Sequence, residues 1–462
     1  MDAMPGDVVE APVEPERRHR VPRFIHDLRY DQLPPDVISL ARRCLVDLVG
    51  VAAAGSRTDG GRIACEHAIR YMAGSSGNVA RMLFDGRATS IAGAAFAGAT
   101  VIDAVDAHDG HPLCKGHVGV AVVPSVLAFI DSASSNGFDC RELVASIVVG
   151  YEIGTRAGMA LHGTVSDYHC SGAWNAIAAA AVGARLLRLD RHATREALGI
   201  AEYFGPRGQI LRACNTPSMV KDGSGWGAHA GVSAALLARD GFTGAPAITL
   251  EDADVDEYWN DLGTRWRIRE QYFKPYPVCR WAQPAVEAAL SLQRHHSFDA
   301  QEIERITIES FREAVVLGAG CSAPETTEDA QYSLSWPVAA ALAFGKLGPT
   351  EIEQPMLGDA MVGRLLRSMR LIEDPVLSSR FPAQRWARVR IELRDGRTLE
   401  SEPAVARGSP ENALTDSEIA EKYRSYALPV LGAGRAEAIA FMIDRLPEGD
   451  VAQLLDATLA RA

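Results

Sequence analysis

The chain has 462 residues, 47 Lys and Arg against 59 Asp and Glu for a net charge of −12, and is 47% hydrophobic and 23% charged. Single cores stop growing near about 250–300 residues, so at least two domains are expected, and the apolar share excludes a disordered or fibrous chain. The negative balance argues against nucleic acid or an anionic membrane surface as partner, because both call for a positive field.

The first 22 residues are rich in Pro, Glu and Arg, lack the apolar stretch of a signal peptide and are expected to form a frayed tail. Eight cysteines without paired spacing suit reduced thiols and a cytoplasmic location. From Pro35 to about Gly244, apolar-periodic segments separated by short Gly/Asp/Ser turns predict helices over 35–54, 89–107, 118–134, 139–161, 171–188, 193–203 and 226–240. The apolar runs at 89–109 and 171–190 are broken by Asp, Asn or Arg and read as buried helices, not membrane spans. The acidic, aromatic stretch 251–273 marks a crossing between domains. Another helix is expected over 277–296, and a half-buried strand from the alternation Ile303 to Ser310. Residues 387–401 alternate on both sides of Asp395-Gly396, which predicts a two-residue hairpin turn. These elements define an α+β domain over 268–404. Thr415 to Glu418 is a capping box opening a helix, followed by helical stretches at 434–446 and 449–461.

The densest polar cluster runs from Asp103 to His117 and includes Asp106, His108, Asp109, His111, Cys114 and Lys115. It can be read as a His/Asp/Cys metal site, as a solvated loop, or as an acid/base cluster in which carboxylates position imidazoles. Neither Cys-x-x-Cys nor His-Glu-x-x-His spacing supports the metal. His169 immediately precedes an Ala-rich helix, whose N-terminus favours a bound carboxylate and a neutral imidazole base. Lysine is rare: only Lys115, Lys221, Lys274, Lys346 and Lys422 occur, and arginine supplies the rest of the 47 basic residues. Such a composition keeps lysine where a compact ammonium or a movable pKa is needed. Cys279 beside Arg280 is a candidate nucleophile or acid, or a structural thiol. No phosphate-loop ending follows the glycines at 223–227, and no elbow motif surrounds Ser224 or Ser333.

Several short motifs recur in a telling order. They are Leu45-Val-Asp47-Leu-Val-Gly50, Ala94-Ala-Phe96 leading into Asp106-Ala-His108-Asp109, and His117 followed by Val122-Val-Pro124. Gly150-Tyr-Glu152, His169, Met219-Val-Lys221, Gly241-Phe-Thr-Gly244 and Lys274-Pro-Tyr-Pro277 with Cys279 come next, and Asp329-Ala-Gln331-Tyr-Ser333 and Pro410-Glu-Asn412 complete the set. From about 30 to 425 the chain thereby resembles the MmgE/PrpD family, which includes 2-methylcitrate dehydratases, cis-aconitate decarboxylases and iminodisuccinate epimerases.

The resemblance implies a mainly α fold: a large all-helical domain, 23–267 plus 405–462, with the smaller α+β domain inserted as a lid, and a homodimer. It implies a site in the interdomain cleft that takes a small polycarboxylate without metal or organic cofactor. Asp106, His117, His169, Lys221 and Lys274 fall on the family's site positions. In the implied chemistry His169 or His117 abstracts a proton α to a carboxylate, Asp106 orients an imidazole, and Lys221 and Lys274 stabilise the growing charge. His108, Asp109, Cys279 and Arg280 are the expected substrate-binding neighbours. His108 stands where an Asp is usual, Asp222-Gly-Ser-Gly replaces a basic stretch, Cys279 takes the histidine position of decarboxylases, and Trp336 takes their tyrosine position. The expectation is a 2-methylcitrate-dehydratase-like lyase. The alternatives are an epimerase of a substituted succinate or aspartate, and an idle carboxylate-binding homologue. A decarboxylase is the weakest reading.

Overall fold

Apolar periodicity becomes helix wherever it was expected in the first half of the chain. The computed structural model describes residues 15–75, 77–132, 137–319, 323–381 and 383–462. The helices are Pro35–Gly55, Ile91–Asp103, Gly119–Ser132, Cys140–Thr164, Gly172–Leu186, Arg191–Phe204 and Ser224–Arg239. Three of them start on side-chain caps: Ser90, Asp139 and Asp190 accept the backbone N–H groups of Gly93, Glu142 and Ala193. Small residues then let helix axes approach closely. A Cβ on Gly231 would lie 2.1 Å from the Ala176 carbonyl oxygen, so Ser224–Arg239 can lie against Gly172–Leu186 only with glycine there. The helix Asp59–Tyr71 and the antiparallel pair Val79–Arg81 and Ala88–Ser90 join this layer without having been expected.

The frayed-tail expectation needs correction. Residues 1–14 lie outside the described residues, but 15–22 belong to the helix Pro15–Asp27. Val21, Ile25 and Leu28 form a stripe that is buried on the core, while Arg17 and Arg20 pair with Asp256. A charged composition hid this stripe, because helix docking depends on one face and not on the average.

The second hydrophobic core is built between Val278 and Leu393, whereas Phe273 and Leu414 still belong to the first. Its sheet runs in the order Met369–Glu373, Ile303–Ser310, Trp386–Leu393, Thr398–Glu400, with Ala404–Val405 pairing the start of Trp386–Leu393. Only the Ile303–Ser310 and Met369–Glu373 pair is parallel. The hairpin has a three-residue loop, not two. Gly396 N–H donates to the Leu393 carbonyl and Leu393 N–H to the Arg397 carbonyl, and Gly396 sits at φ 90°. That is a type I turn closed by a glycine bulge. The helix expected from 277 begins at Gln283; in the freed stretch before it Cys279 N–H donates to the Gln331 carbonyl at 2.8 Å, and Val278 and Ala282 enter the second core.

The chain then returns. Thr415 and Glu418 form the expected capping box, and Asp416–Asp444 buries Ile419, Lys422, Tyr423 and Tyr426 in the first core. This stretch is long and apolar enough to cross a membrane by length and composition. It is broken at Gly432 (φ 73°, ψ 161°), however, and carries a buried ion pair, Lys422 to Asp47 at 2.6 Å.

Candidate active site

The polar cluster after Ile91–Asp103 folds into a tight loop in which Asp106 and Lys115 adopt φ values of 54° and 57°. Aspartate tolerates the left-handed region better than most residues. Two backbone bonds, Gly110 N–H to the Tyr272 carbonyl (3.0 Å) and Tyr272 N–H to the Gly110 carbonyl (2.7 Å), fasten the loop to the interdomain crossing. That pairing delivers Lys274, whose Nζ donates to Asp106 Oδ1 at 2.6 Å and to its carbonyl at 3.1 Å. Burial alone would raise the Asp106 pKa, but Lys274 and Lys221 outweigh it and hold the carboxyl below its ordinary value. From beneath, Lys422 Nζ donates to the Ala107 carbonyl at 2.7 Å.

His117 is fixed on all sides. Its backbone N–H donates to Ser171 Oγ (3.0 Å), its carbonyl accepts from Trp174 Nε1 (3.0 Å), and Ser171 Oγ donates to Asp222 Oδ2 (2.7 Å). Nδ1 lies 2.5 Å from the Asp109 carbonyl, which can only accept, so Nδ1 carries the hydrogen. Nε2 therefore presents a lone pair, 3.6 Å from the Asp222 carboxylate that also lines the cleft. Burial, reinforced by Lys274, lowers the imidazole pKa and keeps it neutral. His111, another lining residue, is already committed: Nε2 to Glu270 at 3.0 Å, and Nδ1 to the N–H groups of Leu113 and Cys114.

Between the two cores the cleft also exposes Lys115, Arg280 and Arg385. Lys115 Nζ stands 4.2 Å from the Tyr168 ring centroid, and Arg280 stacks 4.4 Å over Tyr272. Arg280 donates to the Arg407 carbonyl (2.8 Å) and Ser409 Oγ (2.6 Å), and Arg385 Nε is buried without a partner. Among the described residues none of these three cations is ion-paired with a carboxylate. Burial pulls Arg280 down to about 10, which leaves it charged at neutral pH. An acidic protein thus concentrates unpaired positive charge at one place, the condition for binding a small polyanion.

The expected site residues divide clearly. Asp106, His117, Lys274, Cys279 and Arg280 line the cleft. Lys221 is buried behind Tyr332, 5.1 Å from the ring centroid, and donates to the Gln331 side-chain oxygen. Three others are corrected. His169 does not line the cleft: its N–H donates to His162 Nε2, Nδ1 faces the Arg207 carbonyl, and Nε2 faces Asp167 at 3.6 Å. His108 is fully buried behind His117, ring centroids 4.1 Å apart, with Asp103 3.6 Å from Nε2. Asp109 is fully buried too and turns its carboxyl to the Tyr151 hydroxyl (2.6 Å), so its contribution to the site is the carbonyl that orients His117. Asp106 likewise binds Lys274 where an imidazole was expected.

Tyr272 and Arg385 escaped the sequence reading. Tyr272 lay in the stretch taken as a mere crossing, and Arg385 is one of several arginines between 380 and 397 with no motif around it. Asp106, His108 and His117 offer ligand atoms within 4.8 Å of one another. The Lys274 ammonium already neutralises that carboxylate and would repel a dication there.

Comparison with known proteins agrees with this architecture. A cis-aconitate decarboxylase-like protein, oryM, of Aspergillus oryzae is 25% identical over 471 residues, covering 94% of this chain and 95% of the relative. The cis-aconitate decarboxylase of Aspergillus terreus is 23% identical, covering 93% of each. The 2-methylcitrate dehydratase of Cupriavidus necator is 26% identical over 244 residues, 48% of this chain and 50% of the relative. Residues 20–255 match the MmgE/PrpD N-terminal domain and residues 276–448 the MmgE/PrpD C-terminal domain, so the chain belongs to the MmgE/PrpD family.

Proposed function

We propose that this protein removes a proton α to a carboxylate of a small di- or tricarboxylic acid and expels a β-hydroxyl as water, using its own side chains. The observation that carries the reading is a neutral, rigidly held imidazole, its Nε2 lone pair 3.6 Å from Asp222, in a cleft that unpaired Lys115, Arg280 and Arg385 also line. A proton α to a carboxylate is weakly acidic, and its loss builds charge on the carboxylate oxygens. The fixed cations stabilise that charge with little reorganisation. His117 Nε2 accepts the proton, and the imidazolium returns it to the departing hydroxide. A second reading, decarboxylation, is favoured by the relatives named cis-aconitate decarboxylases, which align over nearly the whole chain. The thiol of Cys279 at the decarboxylases' histidine position weighs against it.

Proton NMR in D₂O with citrate, 2-methylcitrate, isocitrate, the aconitates and N-substituted aspartates separates these outcomes. Dehydration turns the 2-methylcitrate methyl doublet into an allylic singlet, or gives a new vinylic signal from citrate or isocitrate, whereas decarboxylation gives a product shorter by one carboxyl. Deuterium uptake without net change indicates an epimerase, and silence across the panel sinks the proposal. Because the base must be neutral and its pKa lies below 6.5, kcat/KM is expected to fall only as pH drops below that value. An acid limb centred above 7 would exclude His117 as the base. Lys115→Met should raise KM by roughly ten- to a hundredfold, the worth of one charged hydrogen bond of about 1.5–3 kcal/mol. Steady-state kinetics that show an unchanged KM would remove Lys115 from the anion site.

A further inference from the structure

Two carboxylates stand close to the His117 ring, and they are not equivalent. Asp106 is neutralised by Lys274 at 2.6 Å. Among the described residues no lysine or arginine pairs with Asp222, although Lys221 precedes it, because that ammonium is turned to Gln331. Asp222 is nevertheless only 9% exposed, and it is held from two sides. Its carbonyl accepts the Gly172 N–H at 3.0 Å, and its Oδ2 accepts the Ser171 hydroxyl at 2.7 Å. Ser171 Oγ also accepts the His117 N–H at 3.0 Å, so one serine ties Asp222 to the residue whose ring it faces.

While the imidazole is neutral, His117 Nε2 and Asp222 Oδ2 face each other across 3.6 Å as two acceptors, since the ring hydrogen sits on Nδ1. Uptake of a proton at Nε2 turns that opposition of lone pairs into a charge-assisted contact. We infer that Asp222 is a positioning residue that acts through His117, as counter-ion of the imidazolium that exists only while the substrate proton is in transit. The inference rests on the reading of His117 as the base. The α C–H bond breaks and its electron pair passes into the substrate carboxylate. The proton stays on Nε2 until the departing hydroxide takes it, and Asp222 never carries it. Of the other groups around the ring, Lys274 opposes the imidazolium, and Asp106 favours it but is already paired with Lys274. The His108 ring, kept neutral by burial, lies 4.1 Å behind, and the Tyr272 ring is 6.3 Å away. Asp222 thus supplies a contact made after proton uptake and not before, which favours the transition state over bound substrate.

The test is Asp222→Asn in the full-length protein, followed by steady-state kinetics with the panel of acids named above. Its kcat is expected to fall about ten- to a hundredfold, the effect of one hydrogen bond to a charged group. KM should stay the same or drop, because the variant also removes a negative charge from an anion site. The acid limb of kcat/KM should move to lower pH, since the Asp222 charge raises the His117 imidazole against burial and Lys274. An unchanged kcat, a raised KM or an unmoved acid limb each overturns the inference and leaves His117 as the base. Should Asp222→Asn fail to fold, Asp222→Glu and Asp222→Gln, alike in size and different in charge, make the same comparison. The glutamate variant is then expected to be the faster, with its acid limb at the higher pH, and equal behaviour of the two overturns the inference. Turnover of none of the acids by wild type overturns the base reading and this inference together.

Discussion

Replacing His117 by alanine is expected to slow exchange of the substrate α-proton by about 10²- to 10⁴-fold, the usual contribution of a positioned base. Affinity for the substrate should change little, because the anion is held by Lys115, Arg280 and Arg385. The fold should survive, since Ser171 and Trp174 bind the backbone of residue 117 and not its ring. Deuterium incorporation followed by NMR measures the first effect and titration with substrate the second. Exchange within a few fold of wild type would hand the role of base to another group.

Lys274→Met is expected to destabilise the protein by about 3–5 kcal/mol, because it strands a buried carboxylate. Asp106 and Lys274 are both almost fully buried and only 2.6 Å apart. The double variant Asp106→Asn with Lys274→Met should recover much of the loss, as asparagine tolerates φ near 54° and carries no charge. The pH dependence has a definite sign. The Asp106 carboxyl is held below 3.8 in the folded protein, so the pair contributes stability above that pH and loses it as pH falls through the lowered value. Without Lys274, burial raises the Asp106 carboxyl, so protonation relieves the stranded charge and the deficit of Lys274→Met should shrink as pH falls towards 4. Chemical denaturation of the three proteins from neutral pH to pH 4 checks this. A single variant as stable as wild type at neutral pH would mean that the ion pair is not what holds Asp106 in place.

How much of this could be read beforehand depended on the physics involved. Helices such as Cys140–Thr164 announce themselves through period and caps, and the Asp395-Gly396 turn through the need for positive φ. The rarity of lysine pointed to all five lysines alike; Lys115, Lys221, Lys274 and Lys422 converge on or behind one loop, while Lys346 lies on the surface. The orientation of carboxylates was not legible. Nothing local distinguishes Asp106, which faces a lysine from the crossing segment, from Asp109, which faces Tyr151 some 40 positions later. Nor could spacing show that His169 turns to Asp167, or that Arg385 reaches back from the lid. Such placements are set by tertiary packing, which no window of sequence contains.

The loop that carries Asp106 and His117 rests on Lys422, 315 positions beyond the carbonyl of Ala107 that it binds. Proteins are synthesised from the N-terminus at about 5–20 residues per second, so roughly a quarter of a minute to a minute passes before that support leaves the ribosome. By the end of that interval the lid is already complete, while Asp47 still waits in the core without its counter-ion. A nascent chain stopped before residue 415 would carry His117, Lys274, Arg280 and Arg385 and still lack a settled site. Competence to bind arrives with the returning helix, among the last parts of the chain to emerge.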